Sequence, residues 1–338
     1  MQRLYTYPAS FEESISRALS KHQLTLKDSK ALAKCVMALS DYFIHRPESP
    51  TPWNESWAQV AYLCYYLPLN STRLRALIDE GDKRGFFDGL DRVIDFGAGL
   101  ATASLTLSEK HPLKFHLVER AAEPQQLIEN FFPQFKCEEW VRTFSSGRLK
   151  DPKKTLALFS YSLTELADLP DWAYECEALM LVEPSTQQDG RKLLGLRQKL
   201  LDKGYYAWAP CTHQLACPLL MNSKTDWCHD RVHFQAPEWF LKMEEQLPMK
   251  NRTLTMSYVL MRKTPPQPIQ AARMVGDLLK EKGKDRQLVC RGPQREFLAW
   301  MHKTGISQEI PRGVLVELPN DMQVVSNELR LKSEIKVL

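Results

Sequence analysis

A short apolar strand, Arg92–Phe96, runs into the loop Asp95-Phe96-Gly97-Ala98-Gly99-Leu100-Ala101, and a helical pattern starts directly after it. No other feature limits the fold as strongly. Glycines at 97 and 99 permit a tight turn in which no Cβ keeps the backbone from a ligand. Around this loop short apolar runs alternate with helical patterns. Strands are expected at Lys114–Glu119, Thr155–Ser160, Ala178–Glu183 and Tyr205–Ala209, with helices up to Lys110 and over Ala122–Phe132, Thr164–Cys176 and Asp189–Lys203. Such alternation predicts a parallel sheet covered by helices. Leu254–Arg262 reads as its last strand.

The third glycine of the dinucleotide pattern is replaced by Ala101, which loosens the match to dinucleotide enzymes, where pyrophosphate sits on the helix N-terminus. Glu119 closes the second strand about 20 residues past the loop, where a carboxylate can accept both ribose hydroxyl hydrogens. The ordered set of Asp95, Gly97, Gly99 and Glu119 resembles class I methyltransferases more than dehydrogenases, and implies S-adenosylmethionine as the ligand.

The flanking regions have other textures. Phe11–Leu24, Ser29–Phe43 and Trp57–Tyr66 carry apolar residues at three- and four-residue intervals; Pro68 and Asn70-Ser71 interrupt them, and Ser71 can cap a further helix through Leu77. Residues 1–85 therefore read as a helical lid, 86–263 as the nucleotide-binding domain with an insertion at 210–250, and 264–338 as a small, basic, β-rich appendage. Thr-Pro-Pro-Gln-Pro at 264–268 makes the linker, since paired prolines cannot continue a strand ladder. Beyond it, Gln287–Cys290 and Val314–Leu318 look like strands.

At 43% hydrophobic and 25% charged the composition is that of an ordinary globular chain. Its longest apolar runs, such as Leu215–Met221, are too short to span a bilayer. The N-terminal residues lack the apolar core of a secretory signal, and Glu12 and Glu13 argue against a transit peptide. A cytoplasmic, monomeric protein with reduced thiols is expected. Net charge is +4, yet between Asn251 and Trp300 ten Lys/Arg face four Asp/Glu. That window reads either as a solvated face or as a surface for a polyanion.

The insertion holds Pro210-Cys211-Thr-His213-Gln-Leu-Ala-Cys217-Pro218 and Asp226-Trp-Cys228-His229. Three cysteines this close in a chain of reduced thiols point to metal thiolates. Spacing does not name the metal: zinc could be completed by His213, His229 or His233, whereas an iron–sulfur cluster prefers a fourth thiolate, for which Cys290 is the candidate. Cys35, Cys64, Cys137 and Cys176 fall in apolar patterns and read as core residues. Pro210-Cys211 also resembles the Pro-Cys nucleophile of pyrimidine C5 methyltransferases, but it follows the sixth strand here rather than the fourth or fifth.

With these residues in view, the chain resembles the methyltransferase-like family of small-ribosomal-subunit assembly proteins, which includes mitochondrial ribosome assembly factors and bacterial relatives. The likeness spans roughly residues 55–292, through Ala61-Tyr-Leu-Cys-Tyr-Tyr-Leu-Pro, Val93-Ile-Asp-Phe-Gly-Ala-Gly, Val182-Glu-Pro-Ser-Thr, the cysteine block and Arg273-Met-Val-Gly-Asp. The resemblance implies a 4Fe-4S cluster on Cys211, Cys217, Cys228 and Cys290, and association with the small ribosomal subunit or its rRNA, away from membranes. After the fourth strand, where amine methyltransferases place Asn/Asp-Pro-Pro-Tyr/Phe, this chain has Ser160-Tyr161-Ser162-Leu163. Ser160 there is a candidate cofactor contact, and no catalytic residue can be named. Three readings stay open: an rRNA methyltransferase, a non-catalytic RNA-binding scaffold with a relic pocket and a structural metal site, or a methyltransferase acting on a small molecule or protein, which the basic appendage counts modestly against.

Overall fold

A computed structural model describes residues 3–46 and 49–338. Its centre is a sheet in which β2 (Arg92–Phe96), β3 (Lys114–Val118), β4 (Glu139–Val141), β5 (Thr155–Ser160) and β6 (Ala178–Glu183) lie in the order β4-β3-β2-β5-β6, all parallel. The antiparallel strand β9 (Thr253–Arg262) follows β6, and β7 (Tyr206–Ala209) pairs with β9. This is the class I methyltransferase arrangement. The order reverses beside β2, so the first glycine loop opens at the switch point where crevices form in such sheets. β5 and β6 are almost wholly buried and correspondingly apolar, as strands covered on both faces must be.

β9 has ten residues and more length than one neighbour can match. Its C-terminal end pairs with β7 and its N-terminal end with β8 (Asp230–Phe234), while β1 (Leu4–Tyr5) adds in parallel to β8. The cysteine-rich insertion fills the stretch of chain between β7 and β8.

The N-terminal region is helical: α1 (Ala9–Ser20) and α2 (Ser29–His45) bury Phe11, Ile15, Leu32, Val36 and Leu39 in the main core. Two expectations need correction here. Trp57–Tyr66 and the helix after Ser71 are not separate: α3 (Ser56–Ala61) passes through a π-turn at Tyr62–Tyr66 into α4 (Leu67–Asp82). The wider turn accommodates Pro68, which has no N–H to give, so the proline does not end the helix. Conversely, the helix expected over Thr164–Cys176 is replaced by 3-10 turns at Leu163–Glu165 and Asp171–Glu175. Pro170 sits in the middle of that pattern, where it removes a donor and pushes Leu169 towards extended backbone. The remaining helices of the domain, α5 (Thr102–Ser108), α6 (Glu123–Phe131) and α7 (Gln187–Asp202), follow β2, β3 and β6.

The C-terminal residues form a second sheet. β10 (Ala272–Glu281), β11 (Lys284–Cys290) and β12 (Glu296–Met301) make an antiparallel meander, flanked by β13 (Leu315–Glu317) beside β10 and by β15 (Glu328–Leu331) beside β12. β14 (Gln323–Val325) and β16 (Lys336–Val337) close the two edges. Its own core contains Met274, Val289, Leu298, Trp300 and Leu329. Sequence patterning missed β10 and β12: β12 and the first half of β10 are buried on both faces and so lack alternation, while the second half of β10 runs out into a charged, largely exposed hairpin.

Buried arginine joins the two sheets. Arg273 on β10, 4% exposed, donates to Glu80 of α4, to Asp230 of β8 and to the Tyr258 hydroxyl on β9 at 2.9–3.0 Å. Arg3 adds a second pair to Asp230 at 2.7 Å. Ion pairing also bears on the basic window. Within the 251–300 window, Arg252, Arg262, Arg273, Lys284, Arg286, Arg291 and Arg295 are each within ion-pair distance of a carboxylate, several of them far away in sequence. A linear charge count could not register Glu244, Glu177, Glu80, Glu328 or Asp226 as their partners.

Against the upward push of burial, Arg273 and Arg3 hold Glu80 and Asp230 below ordinary carboxylate values. Their contribution to stability is therefore present above the unfolded carboxylate pKa and disappears as pH falls below about 4. Replacing Arg273 with Met should cost about 3–5 kcal/mol in urea unfolding at pH 7, because two buried carboxylates lose a partner. The gap between wild type and variant should narrow as pH falls below about 4.

Candidate functional site

The loop after β2 forms one wall of a cavity of about 480 Å³, inside the usual range for small-molecule sites. Gly97 has φ +71°, and a Cβ there would stand 2.6 Å from the Ser162 Cβ, so the close approach of loops 97 and 162 requires glycine. Ser162 in turn donates to the Phe96 carbonyl at 2.8 Å. Glu119 accepts the Gly99 amide at 3.0 Å through one carboxylate oxygen and the Ala121 amide at 2.9 Å through the other. Each oxygen keeps a second lone pair, so the carboxylate is oriented but not exhausted.

Asp95 is 1% exposed and accepts a hydrogen bond from the Ser104 hydroxyl at 2.7 Å. Burial pushes its pKa up to about 7, with the Ser104 bond opposing. Asp95, Gly97, Gly99, Glu119 and Ser160 all line this one cavity. The N-terminal region supplies the roof: Thr51 and Trp53 from the loop before α3, Tyr62 from the π-turn and Asn70 from α4 also line it, with the Trp53 and Tyr62 rings 4.4 Å apart between centroids. Nothing in local sequence marked these residues, because their place depends on how α3 and α4 pack across the sheet.

A second cavity lies where the insertion, α7 and the C-terminal sheet meet. Cys211, Cys217, Cys228 and Cys290 line it together with His213 and Arg197. Cys211 follows β7, Cys217 precedes the short helix α8 (Pro218–Met221), Cys228 precedes β8 and Cys290 ends β11. Burial, followed by the neighbouring thiols, pushes the Cys228 thiol up to about 12 and raises Cys217 and Cys290 as well. Of the three candidate histidines, His213 is at this cavity. His229 instead lies 3.4 Å from Arg312, and His233 lies on β8 against Thr253. Among the described residues no group of three or more His, Cys, Asp or Glu side chains has the geometry to hold a metal ion as it stands.

α7 is the seat of the insertion. A Cβ on Gly190 would meet the Trp227 ring at 2.4 Å, so glycine lets that indole close onto the helix. Arg191 donates to the carbonyl oxygens of Leu219, Ser223 and Asp226, tying down the irregular backbone. Arg197, fully buried, donates from Nε to Cys211 Sγ at 3.1 Å and from Nη2 to the His213 carbonyl at 2.9 Å. Sequence reading passed over Arg197. The available signal was a charge on an apolar stripe, four residues after Leu193 and three before Leu200.

Because Asp95 is raised in the folded state, its contribution to stability is greatest below the unfolded value near 4 and is lost as pH rises to about 7. Asp95→Asn keeps an acceptor for Ser104 and removes the titration. Thermal melts should show wild type losing stability relative to Asp95→Asn between pH 5 and pH 8; parallel profiles would contradict the assignment.

Comparison with known proteins bears on this arrangement at two levels. Solved structures with a similar course include precorrin-6y C5,15-methyltransferase from Geobacter metallireducens, at 16% identity and TM-score 0.37, covering 57% of this chain and 89% of that one. Another is magnesium protoporphyrin IX methyltransferase from Synechocystis PCC 6803 with bound SAH, at 12% identity and TM-score 0.33, covering 68% of this chain and 100% of that one. Both likenesses are distant. No curated protein sequence matches the chain. The family model described as mitochondrial small ribosomal subunit Rsm22 matches residues 57–299, well over half of the 338 residues, and the chain belongs to the Rsm22 family.

Proposed function

We propose that this protein binds S-adenosylmethionine in the cavity beside the 97–99 loop, carries a 4Fe-4S cluster on Cys211, Cys217, Cys228 and Cys290, and acts in assembly of the small ribosomal subunit through contact with that subunit or its rRNA. Family membership supports the ribosomal part, since the family is described by the mitochondrial small subunit. It also moves the compartment from plain cytoplasm to wherever that ribosome is built, the mitochondrion in the family's description. Among the described residues no helix is long and apolar enough to cross a membrane.

The observation that carries the metal reading is the company kept by Arg197. A fully buried guanidinium shares one cavity with four thiols and bonds one of them, Cys211, and its Nη1 has no hydrogen-bond partner among the described residues. A buried cation beside neutral thiols is costly, whereas thiolates bound to metal would supply the compensating negative charge. Four cysteines at one cavity, with two of the three candidate histidines elsewhere, favour an all-thiolate group. The cluster would tie the insertion to β11 and supply a one-electron redox centre.

In the first cavity Glu119 would hold the ribose hydroxyls and the 97–99 backbone would face the ligand. Bound S-adenosylmethionine supplies an electrophilic methyl group. Asp95 keeps Ser104 fixed at the start of α5, while Trp53 and Tyr62 shield the pocket from water. A non-catalytic scaffold has one specific observation in its favour: Ser162 is committed to the Phe96 carbonyl, and the 160–163 loop lacks an Asn/Asp-Pro-Pro cradle for an attacking amine.

Three measurements test the reading. Titration calorimetry with S-adenosylmethionine should show one site in wild type and none in Gly97→Arg, where the added side chain enters the pocket beside Ser162. After anaerobic purification the chain should hold about four iron and four sulfide; stoichiometric zinc without sulfide would overturn the cluster. Comparing rRNA modifications in cells with and without the protein separates methyltransferase from scaffold: a lost methyl mark identifies the enzyme, and an unchanged set identifies the scaffold.

A further inference from the structure

Arg197 is more than a neighbour of the cysteine cavity. It enters from α7, an element of the nucleotide-binding domain, while the cysteines come from the insertion and from β11. Its fork is divided: Nε–H faces Cys211 Sγ at 3.1 Å, Nη2–H the His213 carbonyl at 2.9 Å, and Nη1 is buried without a partner among the described residues. Neither partner is a carboxylate, so the cation is not neutralised by an ordinary ion pair. Arginine stays charged at any accessible pH.

A second donor completes the pattern. The Leu215 amide donates to His213 Nδ1 at 3.2 Å, which makes Nδ1 the acceptor and assigns the ring proton of the neutral imidazole to Nε2. Nε2 lies 3.4 Å from Cys290 Sγ. Cys211 and Cys290, from the two sides of the junction, are thus each offered an N–H by groups linked to one another through the bond from Arg197 to the His213 carbonyl.

We propose that Arg197, seconded by His213, is a positioning residue that raises the reduction potential of the four-cysteine site and holds Cys211 in place for it. This rests on the cluster reading above. Reduction by an external one-electron donor adds one negative charge and breaks no bond. A fixed buried cation stabilises the more negative, reduced form, and N–H donors to ligand sulfurs act in the same direction. The geometry makes the potential a property of α7 as well as of the insertion.

The test uses the full chain reconstituted anaerobically with ferrous iron and sulfide, then titrated with dithionite while the paramagnetic reduced state is followed. In Arg197→Gln, which keeps much of the side-chain length but not the charge, the ratio of reduced to oxidised site at fixed potential should fall about tenfold, a midpoint shift of about 59 mV for a one-electron couple. Arg197→Lys, which retains the charge, should recover most of it. An unchanged midpoint in Arg197→Gln at wild-type iron and sulfide content overturns the proposal and leaves the cluster standing. If Arg197→Gln does not retain iron, Arg197→Lys decides: wild-type iron with a near-wild-type midpoint supports the role of the charge, and equal loss of iron refutes it. Wild type that takes up no iron and sulfide overturns the cluster reading itself, a distinct result.

Discussion

A ten-residue strand bordered by shorter neighbours has to share its free edge. β9 pairs along one edge with β6, from Glu183 opposite Ser257 to Ala178 opposite Arg262. On its other edge β7 takes residues 260–262 and β8 takes 253–256, so residues 257–259 face a gap. Polar groups bridge that gap: the Ser257 hydroxyl donates to the Cys228 carbonyl and the Tyr258 hydroxyl receives Arg273. The insertion leaves β7 and returns to β8 around this point. Convergence of the cysteines, and docking of the second sheet through Arg273, both follow from how β9 divides its partners.

Arginine recurs on the elements that meet along β9. Arg191 collects carbonyls, Arg197 faces thiols, Arg262 pairs with Glu177, and Arg273 links three elements. Lysine could not replace them easily, because one planar fork reaches several acceptors at fixed angles while an ammonium is a single, strongly hydrated point. The demand for satisfied carbonyls is highest where irregular backbone is shut away from water, and Arg191 meets it at Leu219, Ser223 and Asp226 of the insertion.

The first cavity shows the opposite economy. Its functional groups are oriented by short local bonds, Glu119 to Gly99 and Ala121, Ser104 to Asp95, Ser162 to Phe96. Gly97, Gly99, Asp95 and Glu119 could be picked out from the chain alone, whereas the Ser104 and Ser162 hydroxyls that lock the loop are visible only once the strands are side by side. The aromatic roof combines Tyr62 from the π-turn with Trp53 from the loop before α3, and no local pattern in the chain brings these two rings together.

Sequence by itself determined the parallel core, through strand–helix alternation along the chain, the 97–99 loop with Glu119, and the family, through several short blocks of which the one holding Cys211, Cys217 and Cys228 is the most specific. Tertiary structure alone decided the rest. It separated His213 from His229 and His233, and it brought Cys290 to the insertion from more than sixty residues away. It also cancelled most of the basic window against carboxylates on other elements, and it put Arg197 among the thiols. Charge pairing and ligand convergence are properties of distance in space. A periodic pattern reports which face of an element is buried, but it carries no information about which other element covers that face.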